Sequence, residues 1–186
     1  MRLISLVLLA LTFVATGVLP ASANAFDDLG KMQAAMNKLH SYKSSATWSQ
    51  GARSITSEIE AVNPDRYHAS QMDGALQFII VGAKYWAHTA KQGWIRLAAP
   101  PVSSLIGNVL AVMHFNNPST YIARNLGMRN GYQAVLVESK DHKSQSTVYL
   151  RPDHLVALVE IKVGKDHGRV TYGAYNAPIS IQPPTK

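Results

Sequence analysis

The stretch 76–97, LQFIIVGAKYWAHTAKQGWIRL, decides the fold class. It holds three short runs rich in β-branched and aromatic residues, 76–81, 85–89 and 94–97, separated by Gly82-Ala83-Lys84 and Lys91-Gln92-Gly93. Glycine beside polar residues supplies the positive-φ backbone of tight turns, so the runs read as consecutive antiparallel strands. Upstream, 46–49, 54–62 and 67–72 repeat the pattern, broken at Gln50-Gly51, Asn63-Pro64-Asp65 and Asp73-Gly74. Downstream it resumes at 132–138, 147–150, 155–163 and 169–175 and ends in 178–181, with loops around Asp141-His142-Lys143, Arg151-Pro152-Asp153-His154 and 164–168. Roughly ten strands in one sheet tend to curl or close. The expected class is mainly β with helices (α+β), built on a curled antiparallel sheet, in one domain without linker or internal repeat.

Two segments break the period of two. In 26–42, Leu29, Met32, Met36 and Leu39 recur at steps of three and four, which predicts an amphipathic helix with one apolar stripe. Asp27 or Asp28 would cap it, and Phe26 would staple the chain's entry. The second segment, 98–131, opens with Pro100-Pro101, then places Leu105, Ile106, Val109, Leu110 and Met113 at helical steps. Asn117-Pro118 reads as a cap with proline at the first helical position, and Gly127 as a terminator. Two short helices are expected there, the second over about 118–126. The helices either fill the concave face of the sheet as ordinary core or plug it incompletely and leave an apolar cavity.

The first residues fix the expected compartment. Arg2 precedes a run from Leu3 to Leu19 that is apolar apart from Ser5, Thr12, Thr16 and Gly17; Pro20 breaks it, and Ala21-Ser22-Ala23-Asn24-Ala25 offers small residues at signal-peptidase spacing. This predicts a signal peptide over 1–25, cleaved after Ala25, and a mature domain over 26–186 exported to the periplasm. No second hydrophobic run is long enough to span a bilayer, so no transmembrane anchor is expected. The sequence contains no cysteine, which excludes disulfides, thiolate metal sites and a lipid-modified cysteine. Lys plus Arg number 18 against 11 Asp plus Glu, a net +7, or +6 once Arg2 is removed. That balance suits anionic headgroups or acidic partners. The basic residues are scattered, without a stripe interleaved with aromatics, so no nucleic acid is expected as a partner.

Catalytic chemistry finds little footing. The seven histidines, at 40, 68, 88, 114, 142, 154 and 167, stand singly with no metal-binding pair spacing, and no metal or other cofactor is expected. There is no Gly-x-Ser-x-Gly and no phosphate-binding glycine loop. Glu58 and Glu60 would share one strand face, where solvated carboxylates are the ordinary outcome. The expectation is no enzyme.

The order of elements carries a family resemblance. A helix running into Ser41-Tyr42-Lys43 and a strand, an Asn63-Pro64-Asp65-Arg66-Tyr67 junction, a Gly82-Ala83-Lys84-Tyr85-Trp86 strand start, and Gly93-Trp94 follow in sequence. The chain closes on Tyr172-Gly173-Ala174-Tyr175-Asn176-Ala177-Pro178-Ile179-Ser180-Ile181 and Pro183-Pro184. The sequence resembles the periplasmic lipoprotein-carrier (LolA-like) superfamily over nearly all of 26–186, as a soluble member without a lipid anchor. The resemblance implies an unclosed half-barrel whose concave apolar face, lidded by helices, holds acyl chains. The implied function is binding or transport of lipid or acylated lipoprotein without covalent chemistry. The expected lining is Ile55, Ile59, Phe78, Ile80, Leu136, Leu155, Val159 and Ile161, alternate strand positions, with Leu105, Val109 and Met113 as lid. Residues 102–126 as a whole are expected to move when cargo binds. The alternative is an envelope regulatory or scaffolding domain with a filled concave face, meeting a protein partner through its strand edges.

Overall fold

A computed structural model describes residues 21–72, 74–99 and 115–185. The order is α1 (Ala21–Asn37), β1 (Ser41–Gln50), β2 (Arg53–Val62), β3 (Arg66–Gln71), β4 (Leu76–Val81), β5 (Lys84–Thr89), β6 (Gly93–Leu97), β7 (Tyr121–Arg129), β8 (Tyr132–Ser139), β9 (Ser144–Leu150), β10 (Val156–Val163) and β11 (Asp166–Gly173). The strands form one antiparallel sheet ordered β6-β5-β4-β3-β2-β1-β11-β10-β9-β8-β7. Two meanders, β1–β6 and β7–β11, join where β1 pairs with β11, with Ala46 opposite Val170. The sheet curls without closing: β6 ends it on one side and β7 on the other.

The helix supplies the other wall of the core. Leu29, Met32, Met36 and Leu39, the stripe expected from periodicity, are buried with the inner sheet residues in one cluster. α1 lies over β7 and β8. Its bounds differ from the expected 26–42: among the described residues it covers Ala21–Asn37 and stops at Asn37, where Lys38 N–H and Leu39 N–H close short turns onto the carbonyls of Ala35 and Met36. Asp27 and Asp28 therefore sit inside the helix and do not cap it. Asp27 pairs with Lys31 at 2.6 Å, and Asp28 accepts hydrogen bonds from Asn125 (3.2 Å) and Gln133 (3.4 Å), tying the helix to β7 and β8. At the far end the Asn63 side-chain amide donates to the carbonyls of Leu39 (2.8 Å) and Met36 (3.4 Å), pinning the turn that follows the helix.

Three sequence expectations are corrected. The second insertion helix, over about 118–126, does not exist: Tyr121–Arg129 is the edge strand β7, paired to β8 from Tyr121 opposite Ser139 to Arg129 opposite Tyr132. Asn117 does make turn chemistry, its side-chain oxygen accepting from Ser119 N–H at 3.0 Å, but the turn opens into a strand. Gly127, read as a helix stop, has φ 72 and stands at a bulge, where the register shifts between Asn125 and Gly127. The bulge adds one residue to β7 and so removes the strict alternation by which a strand is recognised. Next, 178–181 is not a strand, although Ile181 is buried and its carbonyl accepts from Arg66 at 3.2 Å. Finally, β1 begins at Ser41 rather than 46. The lid expected over 102–126 accordingly loses its C-terminal part to β7, and the helix expected at 105–113 lies outside the described residues.

Candidate binding face

Strand alternation and register define the inner face row by row. One row carries Val135, Val148, Val159, Val170, Ala46 and Ser57 across β8, β9, β10, β11, β1 and β2. It continues through Gln71, Leu76, Thr89 and Gly93 to the edge at β6. The neighbouring row runs Tyr172, Ser44, Ile59, Ala69, Phe78, Ala87 and Ile95. Beyond it lie Tyr42, Ala61, Tyr67, Ile80, Tyr85 and Leu97. On the opposite side, Val137, Ser146, Ile161, Gly168, Trp48 and Ile55 form a fourth row. These four rows contain no charged residue; Arg53 and Asp166 stand one row further out, at hairpin ends.

Ile55, Ile59, Phe78, Ile80, Val159 and Ile161, expected as lining, all take inner positions. Ile59 and Val159 are fully covered, whereas Ile55 is 37% exposed. Leu136 is a correction: it pairs with Arg124 and Thr147, in the outer row that continues to Glu160, Arg169 and Thr47. Its neighbours Val135 and Val137 face inward, the one-residue shift that reverses a strand's faces. Leu155 precedes β10 and packs against the core from the turn, where its carbonyl accepts from Arg151 N–H at 2.9 Å. Leu105, Val109 and Met113 lie outside the described residues.

Periodicity missed several inner residues: Tyr42, Ser44 and Trp48 on β1, Ser57 on β2, and Tyr172 on β11. Small polar residues between apolar ones gave no hydrophobic signal, and the late start assigned to β1 concealed two of them. The rings of Tyr42 and Tyr172 meet at 6.1 Å between centroids, tilted by 40°. Burial raises the pKa of both phenols far above the usual tyrosine value, so both are neutral at physiological pH. The Tyr175 hydroxyl donates to the carbonyl of Val156, tying the segment after β11 to the start of β10.

The outer face is hydrophilic around β1, β2 and β9–β11. A 550 Å³ depression there is lined by Lys43, Ser45, Glu58, Glu60, His68 and Thr171 among others. Lys43 donates to Glu60 at 2.5 Å and His68 approaches the other carboxylate oxygen at 3.6 Å. Hydrogen bonding from Lys43 holds the Glu60 carboxyl below its usual pKa. Glu58 and Glu60 are thus on the outer face, and Glu60 is already paired with Lys43, the arrangement of a surface and not of a poised acid and base. Another depression, of 540 Å³, lies at the N-terminal end of α1 between Asp27, Asp28, Lys31, Gln133, Arg151 and His154. Among the described residues no group of three or more His, Asp or Glu could hold a metal ion. No described helix is long and apolar enough to cross a membrane.

No family model matches the sequence, and no curated protein matches it by sequence. Solved structures do match. The lipoprotein LppX of Mycobacterium tuberculosis superposes with a TM-score of 0.56 at 14% identity, covering 84% of this chain and 97% of LppX. LprF from Mycobacterium bovis gives 0.55 at 12% identity over 89% of this chain and 99% of its own. The chain has the LolA-like fold. MucB shares this LolA-like architecture, with a TM-score of 0.58 at 20% identity, matching 88% of this chain but 62% of MucB. The Pseudomonas aeruginosa protein has also been solved in complex with MucA. At these identities the likeness establishes the half-barrel fold alone.

Proposed function

We propose that this is an exported, non-enzymatic carrier or binding protein that shelters the acyl chains of lipid or acylated protein against its inner face. The observation that carries the reading is an inner face of four uncharged rows, covered by α1 at its β7–β8 end, with Ile55 and Ile95 still 37% and 40% exposed. Transferring an acyl chain to such a surface gains about 0.8 kcal/mol per methylene, so one long chain supplies useful affinity after losses. The LolA-like fold of the lipoprotein LppX supports the reading, and the apolar run at 3–19 supports export.

The direct test is mass spectrometry of the species that copurify, followed by delipidation and titration with a fluorescent fatty acid and a fluorescent diacyl lipopeptide. Saturable uptake, weakened at least about tenfold by Ile95→Asp, is the expected result, because a buried charge without a partner opposes binding. Absence of uptake of both probes by folded protein overturns the carrier reading.

A second reading has its own observation. β6 and β7 end the sheet, and free strand edges accept a partner's strand through main-chain hydrogen bonds. The LolA-like protein MucB has been solved with a protein partner, MucA. Under this reading the chain regulates or scaffolds an envelope protein, and the lipid titration is negative.

A further inference from the structure

Three serines, Ser44, Ser57 and Ser146, break the apolar character of the inner face, and the first two are distinguished by their hydroxyls. Ser44 and Ser57 are 5% and 2% exposed, and the hydroxyl oxygen of each is shut off from solvent without a hydrogen-bond partner. Ser41 and Ser139, by contrast, are satisfied: Ser41 donates to the Ala177 carbonyl at 2.5 Å, and Ser139 to Asp141 at 2.6 Å. A buried hydroxyl left unpaired forfeits its hydration with no return. Size does not demand serine here, since the same face accepts alanine at Ala46, Ala61 and Ala69.

The two hydroxyls belong to one locality. Ser44 stands opposite Ile59, two residues from Ser57, and Ser57 stands opposite Ala46, two residues from Ser44. They are therefore diagonal neighbours on adjacent strands, roughly 7–8 Å apart at their Cα atoms. Gln71, 9% exposed, continues the polar patch opposite Ser57. Around it, Ile59, Ala46, Val170, Ala69 and Phe78 are apolar, and the four inner rows hold no cation. A hydroxyl offers a neutral donor. Two neutral donors within hydrocarbon fit a carbonyl oxygen, and without a counter-charge they do not fit a carboxylate.

We infer that Ser44 and Ser57 form a hydrogen-bonding subsite for the carbonyl of a neutral acyl ester, so that the inner face takes esterified chains in preference to bare hydrocarbon or free fatty acid. The inference rests on the carrier reading and specifies its ligand. The same ester chemistry occurs in a free glycerolipid and in the lipid moiety of an acylated protein.

The experiment compares four probes of equal chain length on delipidated full-chain protein, by displacement of an apolar fluorophore: a monoacylglycerol, its ether analogue without a carbonyl, the free fatty acid at pH 8, and a diacyl lipopeptide. The expected order places either ester at least about tenfold tighter than the ether and the fatty acid, and the stronger of the two esters identifies the source. In S44A/S57A the ester preference falls to near unity while ether affinity is unchanged and the melting temperature is equal or higher. Should that variant not fold, Ser57→Thr, which keeps the hydroxyl, retains the preference and Ser57→Val, which lacks it, does not. Equal binding of ester and ether by the unmodified protein, tighter binding of the fatty acid, or a preference that survives S44A/S57A overturns the subsite and leaves the carrier reading standing. Failure of all four probes to bind overturns the carrier reading and this inference with it.

Discussion

The two meanders build the same inner face from different side chains. In β7–β11 the wall is valine: Val135, Val137, Val148 and Val159 are at most 2% exposed, under a helix that contributes Leu29 and Met32 at 0%. In β3–β6 the wall is larger and less covered, with Tyr67, Leu76, Ile80, Tyr85 and Leu97 only half-buried and Ile95 exposed. The outer faces diverge too. Glu160, Lys162 and Arg169 face outward on the first flank, while the second places Ile79 opposite Trp86, and Trp94 against His88 at 5.1 Å between rings. Short β-branched residues have few rotamers and close a permanent core tightly. Long and aromatic ones leave area to spare. The first flank is the foundation of the fold, and the second carries its surplus apolar surface.

The largest effect that sharpens this comparison comes from truncating one residue on each side. Leu29→Ala is expected to cost about 3 kcal/mol, through lost burial and the cavity left behind, and Ile95→Ala about 1 kcal/mol or less. Urea unfolding curves measure both, and equal losses would erase the distinction. A smaller effect lies at the junction. A Cβ on Gly168 would stand 2.2 Å from the Trp48 ring, so glycine there makes room for the indole where the meanders meet. Gly168→Ala is expected to cost roughly 2 kcal/mol by overpacking, and Trp48→Leu introduced with it should recover most of that loss in a double-mutant cycle. The smallest effect is pH-dependent. Tyr42 and Tyr172 have folded pKa values raised by burial. The unfolded chain therefore releases these protons first as pH climbs past about 10, and stability falls with rising pH above that point. Thermal melts between pH 8 and 11 should show the decline, blunted in Y42F/Y172F.

Much of the sheet was legible because its turns are chemically explicit and its strands alternate. The failures share a cause. β7 was read as a helix because Asn117-Pro118 is a good helix start and the bulge at Asn125 and Gly127 hides alternation; pairing to β8 overrode the local signal. Leu136 was assigned inward because Val135, Leu136 and Val137 are all apolar, and a continuous apolar run does not reveal its parity. The aspartates of α1 were read as caps because the five residues before Phe26, which are already helical, are small and resemble a cleavage signal. Ser44 and Ser57 had no sequence signature, since an unpaired hydroxyl is visible only once its neighbours in space are known.

The pairing of β1 with β11 also sets an order in time. Lys43 meets Gly173 and Ser49 meets His167, partners more than a hundred residues apart in the chain. As the polypeptide emerges from N- to C-terminus, β1 to β6 can form hairpins early, while α1 must wait for β7 and β8 to cover its methionines. Contacts across so many residues carry a large loop-closure cost and form slowly. A chain held back from its last strand keeps one edge of β1 unpaired and its two meanders apart. The seam between β1 and β11 is the last pairing of the sheet to close.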